Sequence, residues 1–158
     1  MLIDKTGRKI IPNPQDKPYT FGNDKHYVSG FIYIPGFKAG SESVAEVQRS
    51  LVEEGSIPFA KIYGAYTYCI DREDETYFFA GNGRMGMVYY GTEGASNRLL
   101  DLVRYYGSEG KSLSFDVNSV CEYLTVKKVF FGKTLIQGLS CCPPPITYIY
   151  ASHHKISR

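Results

Sequence analysis

The order of strand-like and helical segments in this sequence indicates an α+β fold, in which sheets and helices occupy separate layers. Residues 59–90 contain three strand-like runs, and helical patterns precede and follow them instead of alternating with them. The first run, residues 60–70, is apolar or aromatic on both faces beyond Lys61, which is typical of a strand between two layers. A polar turn at 71–76 then predicts a β-hairpin, and a third short strand is expected at 87–90. This stretch is therefore the predicted centre of the molecule.

The segments before the centre predict one arm and one strand. Residues 1–24 are rich in Pro, Asn, Asp, Lys and Gly, and we expect an extended or partly ordered arm there, with room for one edge strand. Residues 27–34 predict a strand with Ser29 and Gly30 at its middle. A glycine inside a strand indicates a β-bulge or a close approach of another backbone.

Three amphipathic segments predict helices. The clearest covers residues 43–54, where Ser43 is the expected N-cap and Glu46, three residues later, completes a capping box. A second helix is predicted at 97–106, and a short third helix follows Asp116 as its N-cap.

The C-terminal part predicts more strand structure. Two β-rich pieces, residues 134–138 and 146–150, are separated by three consecutive prolines. Residues 152–158 form a predicted polar tail. The His153-His154 pair within it is interpreted as part of a flexible tail, with metal binding as the less favoured alternative.

Composition excludes several classes of function. The 158 residues are enough for one ordinary domain. With 18 basic and 16 acidic residues, the charge gives no reason to expect nucleic acid or an anionic membrane as a partner. No apolar run reaches the roughly 18 residues of a membrane span. The apolar start is too short for a signal peptide, so a cytoplasmic location is expected.

The four cysteines are interpreted as structural thiols, with a redox-active Cys141-Cys142 pair as the less favoured alternative. Cys69, Cys121, Cys141 and Cys142 follow no metal-ligand spacing and include no CxxC motif. We expect buried or half-buried, inert thiols, because an unpaired cysteine behaves as a small hydrophobic residue. No cofactor and no metal are expected.

Three stretches in order resemble class II glutamine amidotransferase domains of the asparagine synthetase superfamily. They are SVAEVQRSLVEEGSIPFAKIYGAYTYCID, YFFAGNGRMGMVYYG and CEYLTVKKVFFGKTLIQGLSCCPPP, of which the last is the strongest match. The resemblance spans about 125 residues. It implies a four-layer αββα sandwich of two largely antiparallel sheets flanked by helices, of the N-terminal nucleophile hydrolase type and truncated at its N-terminal side. Residues 25–151 would form this glutaminase-like domain.

The resemblance also implies that the domain is catalytically inactive. Active members begin, after the initiator Met, with a cysteine whose thiol attacks glutamine while its own α-amino group acts as base. This chain has Leu2 at that position. The alternatives are an unconventional nucleophile, either Cys69 or a Thr6 exposed by proteolysis.

Other positions of the family site are altered, and we interpret them as a vestigial substrate pocket. Ser29 and Gly30 match the family's oxyanion-hole pair, and Ser41 and Glu42 match its ammonium-binding residues. The remaining pocket positions lie in the glycine-rich turn, at Asn82 and Gly86. The alternative interpretations are a β-bulge at Ser29-Gly30 and a solvated loop at Ser41-Glu42.

The expected function is that of a structural or interaction module in an asparagine synthetase-like, ATP-dependent amide-forming system. Its expected partner is an ATP-dependent synthetase domain or subunit, and the chain would be either a fragment of a longer ligase or a separate subunit. The alternatives are an active glutamine amidotransferase or amidase with an unconventional nucleophile, or a small-ligand sensor that uses the vestigial pocket.

Overall fold

Two antiparallel sheets and three helices make up the computed structural model, which describes residues 1–5, 9–73, 75–81, 87–130, 132–142, 147–152 and 155–157. The five-stranded sheet, in the order β2-β1-β8-β7-β9, consists of β1 (Leu2–Asp4), β2 (Ile10–Ile11), β7 (Val88–Gly91), β8 (Gly94–Ser96) and β9 (Ser140–Cys142). The six-stranded sheet, in the order β11-β10-β6-β5-β4-β3, consists of β3 (Lys17–Phe21), β4 (Asp24–Gly30), β5 (Tyr66–Asp71), β6 (Glu75–Ala80), β10 (Thr147–Ser152) and β11 (Lys155–Ser157). The helices are α1 (Ser41–Glu53), α2 (Leu99–Ser108) and α3 (Val117–Val126).

Three apolar clusters show how these elements are layered. One cluster joins α1, through Val44 and Val47, to one face of the six-stranded sheet. A second joins the opposite face of that sheet, through Phe78, to the five-stranded sheet, through Ile3. The third joins the outer side of the five-stranded sheet to α2, through Leu102. The layers are therefore helix, sheet, sheet and helix, which confirms the predicted αββα sandwich.

The predicted central strand is confirmed in a shorter form. β5 lies between β4 and β6, and its first five residues are all buried because each face is covered by another layer. The β5–β6 hairpin also has the predicted connection, with Asp71 paired to Thr76. Residues Phe59–Lys61, which include the start of the strand predicted at 60–70, instead form a short 3₁₀ helix. The third strand, β7, belongs to the other sheet.

The arm predicted for residues 1–24 needs correction, because this segment contributes strands to both sheets. β1 pairs with β2 on one side and with β8 on the other, so it is an interior strand. β3 forms a hairpin with β4 in the six-stranded sheet. The polar tail is corrected in the same way, since β11 pairs with β10. Backbone pairing places these polar-rich segments in sheets, although their side-chain composition does not indicate strands.

The helix caps agree with the sequence in one case and differ in another. Asp116 accepts a hydrogen bond from the Ser119 N–H at 2.8 Å, so it is the N-cap of α3 as predicted. Ser43 is not the N-cap of α1, which begins two residues earlier. Its hydroxyl instead donates to the Lys38 carbonyl (2.9 Å) and accepts from the Ile34 N–H (3.0 Å). The side chain therefore binds α1 to the preceding loop.

The close backbone approach predicted at Gly30 is present. Gly30 ends β4 with a φ of +101°, and the next N–H, that of Phe31, donates to the Ala65 carbonyl at 2.9 Å. A Cβ atom on Gly30 would lie 2.2 Å from the Ala65 oxygen. Gly64 is restricted in the same way, because its Cβ would lie 2.1 Å from the Phe31 oxygen. The close contact between the backbones of residues 30–31 and 64–65 therefore requires glycine at positions 30 and 64.

We expect Gly30→Ala to lower the free energy of unfolding by roughly 3 kcal/mol or more, since the backbone strain adds to a clash that only a backbone shift can relieve. Gly22→Ala is the matched control. Gly22 also has a positive φ (+60°), but a Cβ atom there would meet nothing beyond its chain neighbours within 4 Å. Gly22→Ala should lower the free energy of unfolding by only about 1 kcal/mol, the ordinary cost of placing a non-glycine residue in the left-handed region. Urea unfolding of both variants measures the difference, and equal losses would contradict the close-approach account.

Candidate functional site

Ser29 and Gly30 lie where β4 ends, on the edge of the layer between the two sheets. Ser29 is half-buried and pairs with Thr67 of β5. Because side chains alternate along a strand, Ser29 shares the face of Tyr27, which packs in the cluster between the sheets. Gly30 is exposed. Both residues therefore remain accessible at one end of the sandwich.

Ser41 and Glu42 lie in the first turn of α1, and both are exposed. The Glu42 carboxylate accepts a hydrogen bond from the Lys38 N–H at 2.9 Å and forms an ion pair with Lys38 Nζ at 3.7 Å. Helix α1 covers the face of the sheet opposite to Ser29. The structure thus places these two residues and Ser29 on different faces. The other predicted pocket residues, Asn82 and Gly86, lie outside the described residues.

Met1 directly precedes β1, and Leu2, the first residue of that strand, stands where the resemblance places the catalytic nucleophile. The Met1 side chain is fully buried between the two sheets, in the same cluster as Ile3 and Cys69. Leu2, the residue expected in place of the nucleophile, is also buried, but it lies outside that cluster and alternates to the other face of the sheet. The side chain that enters the layer between the sheets is therefore a thioether.

The α-amino group of Met1 is held by two side chains. It donates to Asn97 Oδ1 at 2.8 Å and forms an ion pair with Asp16 Oδ2 at 3.2 Å. Burial lowers the pKa of this amino group, while the Asp16 carboxylate opposes that shift. The Met1 carbonyl accepts hydrogen bonds from the Ser96 hydroxyl and the Asn97 N–H. The first residue is thus fixed at both its amino and its carbonyl group.

Asp16 has one satisfied oxygen and one without a partner. Oδ2 accepts the Asn13 N–H at 2.6 Å in addition to its contact with the Met1 amino group. Oδ1 is buried and has no hydrogen-bond partner among the described residues. A buried carboxylate oxygen normally accepts hydrogen bonds, so Oδ1 can accept one more donor.

The Met1 amino group and Ser29 lie at the same end of the sandwich. Asp16 directly precedes Lys17, which pairs with Val28, so the Asp16 backbone is next in register to Ser29. This end of the sandwich therefore holds an amine, the Met1 amino group, next to an acid, the Asp16 carboxylate. A thioether has no proton to lose, however, so residue 1 cannot supply the nucleophile of acyl transfer.

The cysteines do not replace that nucleophile. Cys69 is fully buried, and burial raises the pKa of its thiol well above the usual range, whereas a reactive cysteine needs access and a stabilised thiolate. Burial also raises the pKa of the half-buried Cys141. Cys142 is buried, but Cys121 is exposed on α3, so the expectation of buried or half-buried thiols is wrong for that residue. Thr6 lies outside the described residues.

A buried polar chain on the α1 face of the six-stranded sheet was missed by the sequence-based prediction. His26 is fully buried, with Nδ1 2.6 Å from the Tyr68 hydroxyl and Nε2 2.8 Å from Gln48 Oε1. Gln48 Nε2 donates to Asp24 Oδ2 at 2.8 Å, and the same oxygen lies 3.3 Å from Arg72 Nε. Because Gln48 Oε1 can only accept, His26 donates from Nε2 and accepts the Tyr68 proton at Nδ1.

The position of His26 in β4 gave no sign of these partners, because they come from α1 and β5. Burial lowers the pKa of His26 to about 4, so the imidazole is neutral near pH 7. These hydrogen bonds connect α1 to the six-stranded sheet, and they require one tautomer of the His26 ring. Its role in the structure is therefore to join these two layers by polar contacts.

Within the described part of the chain, no group of three or more His, Cys, Asp or Glu residues is arranged to hold a metal ion. In the same part, no helix combines the length and apolar character needed to cross a membrane. Comparison of the chain with protein-family models, curated proteins and solved structures found no match.

We expect His26 to make stability depend on pH between about 6.5 and 4. Its folded-state pKa is lowered to about 4, so the unfolded chain binds the proton first as the pH falls. The contribution is complete above pH 6.5 and is lost on acidification, by about 3 kcal/mol in total. Urea unfolding of the wild type and of His26→Gln over this range measures it. Parallel pH profiles for the two proteins would contradict the assignment.

Proposed function

We propose that this chain is a catalytically inactive, glutaminase-like domain that acts as a structural or interaction module of an asparagine synthetase-like, ATP-dependent amide-forming system in the cytoplasm. One observation carries the proposal: at the start of β1 in an αββα sandwich, the buried side chains are the Met1 thioether and the aliphatic Leu2, which stands in place of the nucleophilic cysteine. The sandwich and the sequence motifs support the class of domain. The chemistry of Met1 and Leu2 supports the absence of turnover.

The site keeps parts that are useful for holding a chain terminus but not for attacking an amide. The Met1 amino group is already paired with Asp16 and Asn97. Glu42, at the position that resembles an ammonium-binding acid, contacts its own loop through Lys38. The proposed partner is an ATP-dependent synthetase domain or subunit, which would supply the chemistry.

The proposal is tested by incubating the purified chain with glutamine and measuring released ammonia and glutamate against a heat-killed control. We expect no difference, because neither Met1 nor Cys69 can provide an accessible nucleophile. Intact-mass measurement after treatment with an electrophilic glutamine analogue is the second readout, compared with Cys69→Ser and Thr6→Ala. Turnover above the control would refute inactivity, and a one-to-one adduct lost in one of these variants would support an active amidase and identify its nucleophile.

A second candidate function, a small-ligand sensor, is favoured by the unpartnered Asp16 oxygen. Asp16 Oδ1 is buried at the end of the sandwich where Ser29 lies, and it can accept a hydrogen bond from an amide or ammonium N–H. A ligand at this end would have to approach the Met1 amino group as well. Amino acids and primary amides are therefore the preferred probes.

For the sensor function, we expect one member of a panel of amino acids, amides and nucleotides to raise the melting temperature of the chain. Saturation at about 100 times the dissociation constant corresponds to roughly 2.7 kcal/mol of stabilisation. The shift should disappear in Asp16→Asn and persist in Glu53→Gln, an exposed acid that pairs with Arg49 on α1. An unchanged melting curve across the panel would count against a sensor.

A further inference from the structure

Helix α3 is the least buried of the three helices, although its sequence is apolar. Ser119 is its only buried residue among those described, whereas both α1 and α2 bury large apolar side chains. The exposed fraction is 71% for Val117 and 63% for Leu124. Further exposed apolar side chains lie on α3 and just outside its ends, namely Phe115, Tyr123, Val126 and Phe130. A helix that is apolar on its exposed sides is normally covered by another element.

Among the described residues, contacts at the N-terminal end and near the middle of α3 anchor it to the rest of the chain. Phe115 and Ile136 form an isolated bridge, and the Asp116 N–H donates to the Leu135 carbonyl at 2.9 Å. Lys133 Nζ pairs with Glu122 at 2.8 Å beside the helix. Ile136 also packs against the cluster around α2, so the N-terminal end of α3 is joined to the sandwich. The helix is therefore held in place while its outer surface stays uncovered.

The charges at the two ends of α3 indicate what could cover it. Asp116 is at the N-terminal end, and Lys127 and Lys128 follow the C-terminal end. A second α3 in antiparallel orientation would place its two lysines opposite Asp116, and the reverse contact would form at the other end. Antiparallel helices also oppose their dipoles favourably. A parallel arrangement would instead bring the like charges together.

We propose that the exposed α3 surface is a self-complementary interface between two copies of this chain, packed as an antiparallel helix pair about a two-fold axis near Cys121. Val117, Cys121 and Leu124 have the i, i+4, i+7 spacing of one helix face. In the pair, the Val117, Cys121 and Leu124 face of one copy would lie against the same face of the other. A groove of about 590 Å³ beside the helix, lined in part by Asn118, would receive the Leu124 side chain.

This interface does not rest on the proposed function, because it uses no residue of the β1 site. Glutamine turnover by a dimeric chain would overturn the inactive-domain proposal and leave the interface intact. A monomeric chain without glutamine turnover would overturn the interface and leave the inactive-domain proposal intact. The two proposals can therefore fail separately.

The test is light scattering coupled to size-exclusion chromatography of the full chain over a concentration series. We expect a concentration-dependent dimer, and Leu124→Asp should raise its dissociation constant roughly 30-fold or more, as charging a central interface residue does. Val52→Asp is the matched control, because Val52 is 62% exposed on α1, close to the 63% of Leu124. It should leave the dimer unchanged. A monomer at every concentration, or equal effects of the two variants, would overturn the proposal.

The orientation of the helices is tested by charge and by cross-linking. Asp116→Asn keeps a residue that can cap α3 but removes its charge, so it should weaken the dimer and reduce its sensitivity to salt. Mild oxidation should link two copies through Cys121, and Cys121→Ser should abolish the linked species. A dimer that Asp116→Asn leaves unchanged, or that oxidation does not link, would contradict the antiparallel arrangement.

Discussion

The burial of β5 on both faces is the constraint on which the rest of the sandwich depends. Its even-numbered residues, including Tyr66 and Tyr68, face α1, and Cys69 faces the other sheet. Because both faces must be covered, one layer has to pack on each side of the six-stranded sheet. Burial of Tyr68 also encloses its hydroxyl, which needs a partner in a place without water. His26 is the partner of this hydroxyl, and its second ring nitrogen continues the hydrogen-bonded chain to Gln48 of α1.

The same requirement for satisfied polar groups explains the structure at the head of β1. Placing residue 1 between the sheets buries an amino group, and a buried charge is costly unless an opposite charge and hydrogen bonds compensate it. Asp16 and Asn97 supply these contacts from segments that flank β3 and β8. The amino group thereby helps to fix the first strand. In the proposed inactive domain, the amino group would serve only as an anchor and not as a base.

Much of the fold could be predicted from sequence, and less of the site, because the strongest sequence signals are local. The two-sided apolar pattern of β5 and the Asp116 cap of α3 each depend on neighbouring residues, and both are present. The strands within residues 1–24 could not be predicted, since pairing with β4 and β8 places that segment in the sheets. Asp16 and His26 likewise act through partners distant in sequence, and no spacing rule connects them. Residues whose role is set by long-range packing were therefore the ones that sequence reasoning missed.

The apolar side chains of α1 stabilise the fold, whereas those of α3 do not. α1 buries Val44, Val47 and Leu51 against the sheet, so its apolar residues are explained by the stability of the chain itself. Those of α3 contribute little to any described core, and exposure of Val117 and Leu124 to water gives no stability in return. Folding of the single chain therefore does not account for them. The proposed association would account for them, since it would bury this surface without any change in the sandwich.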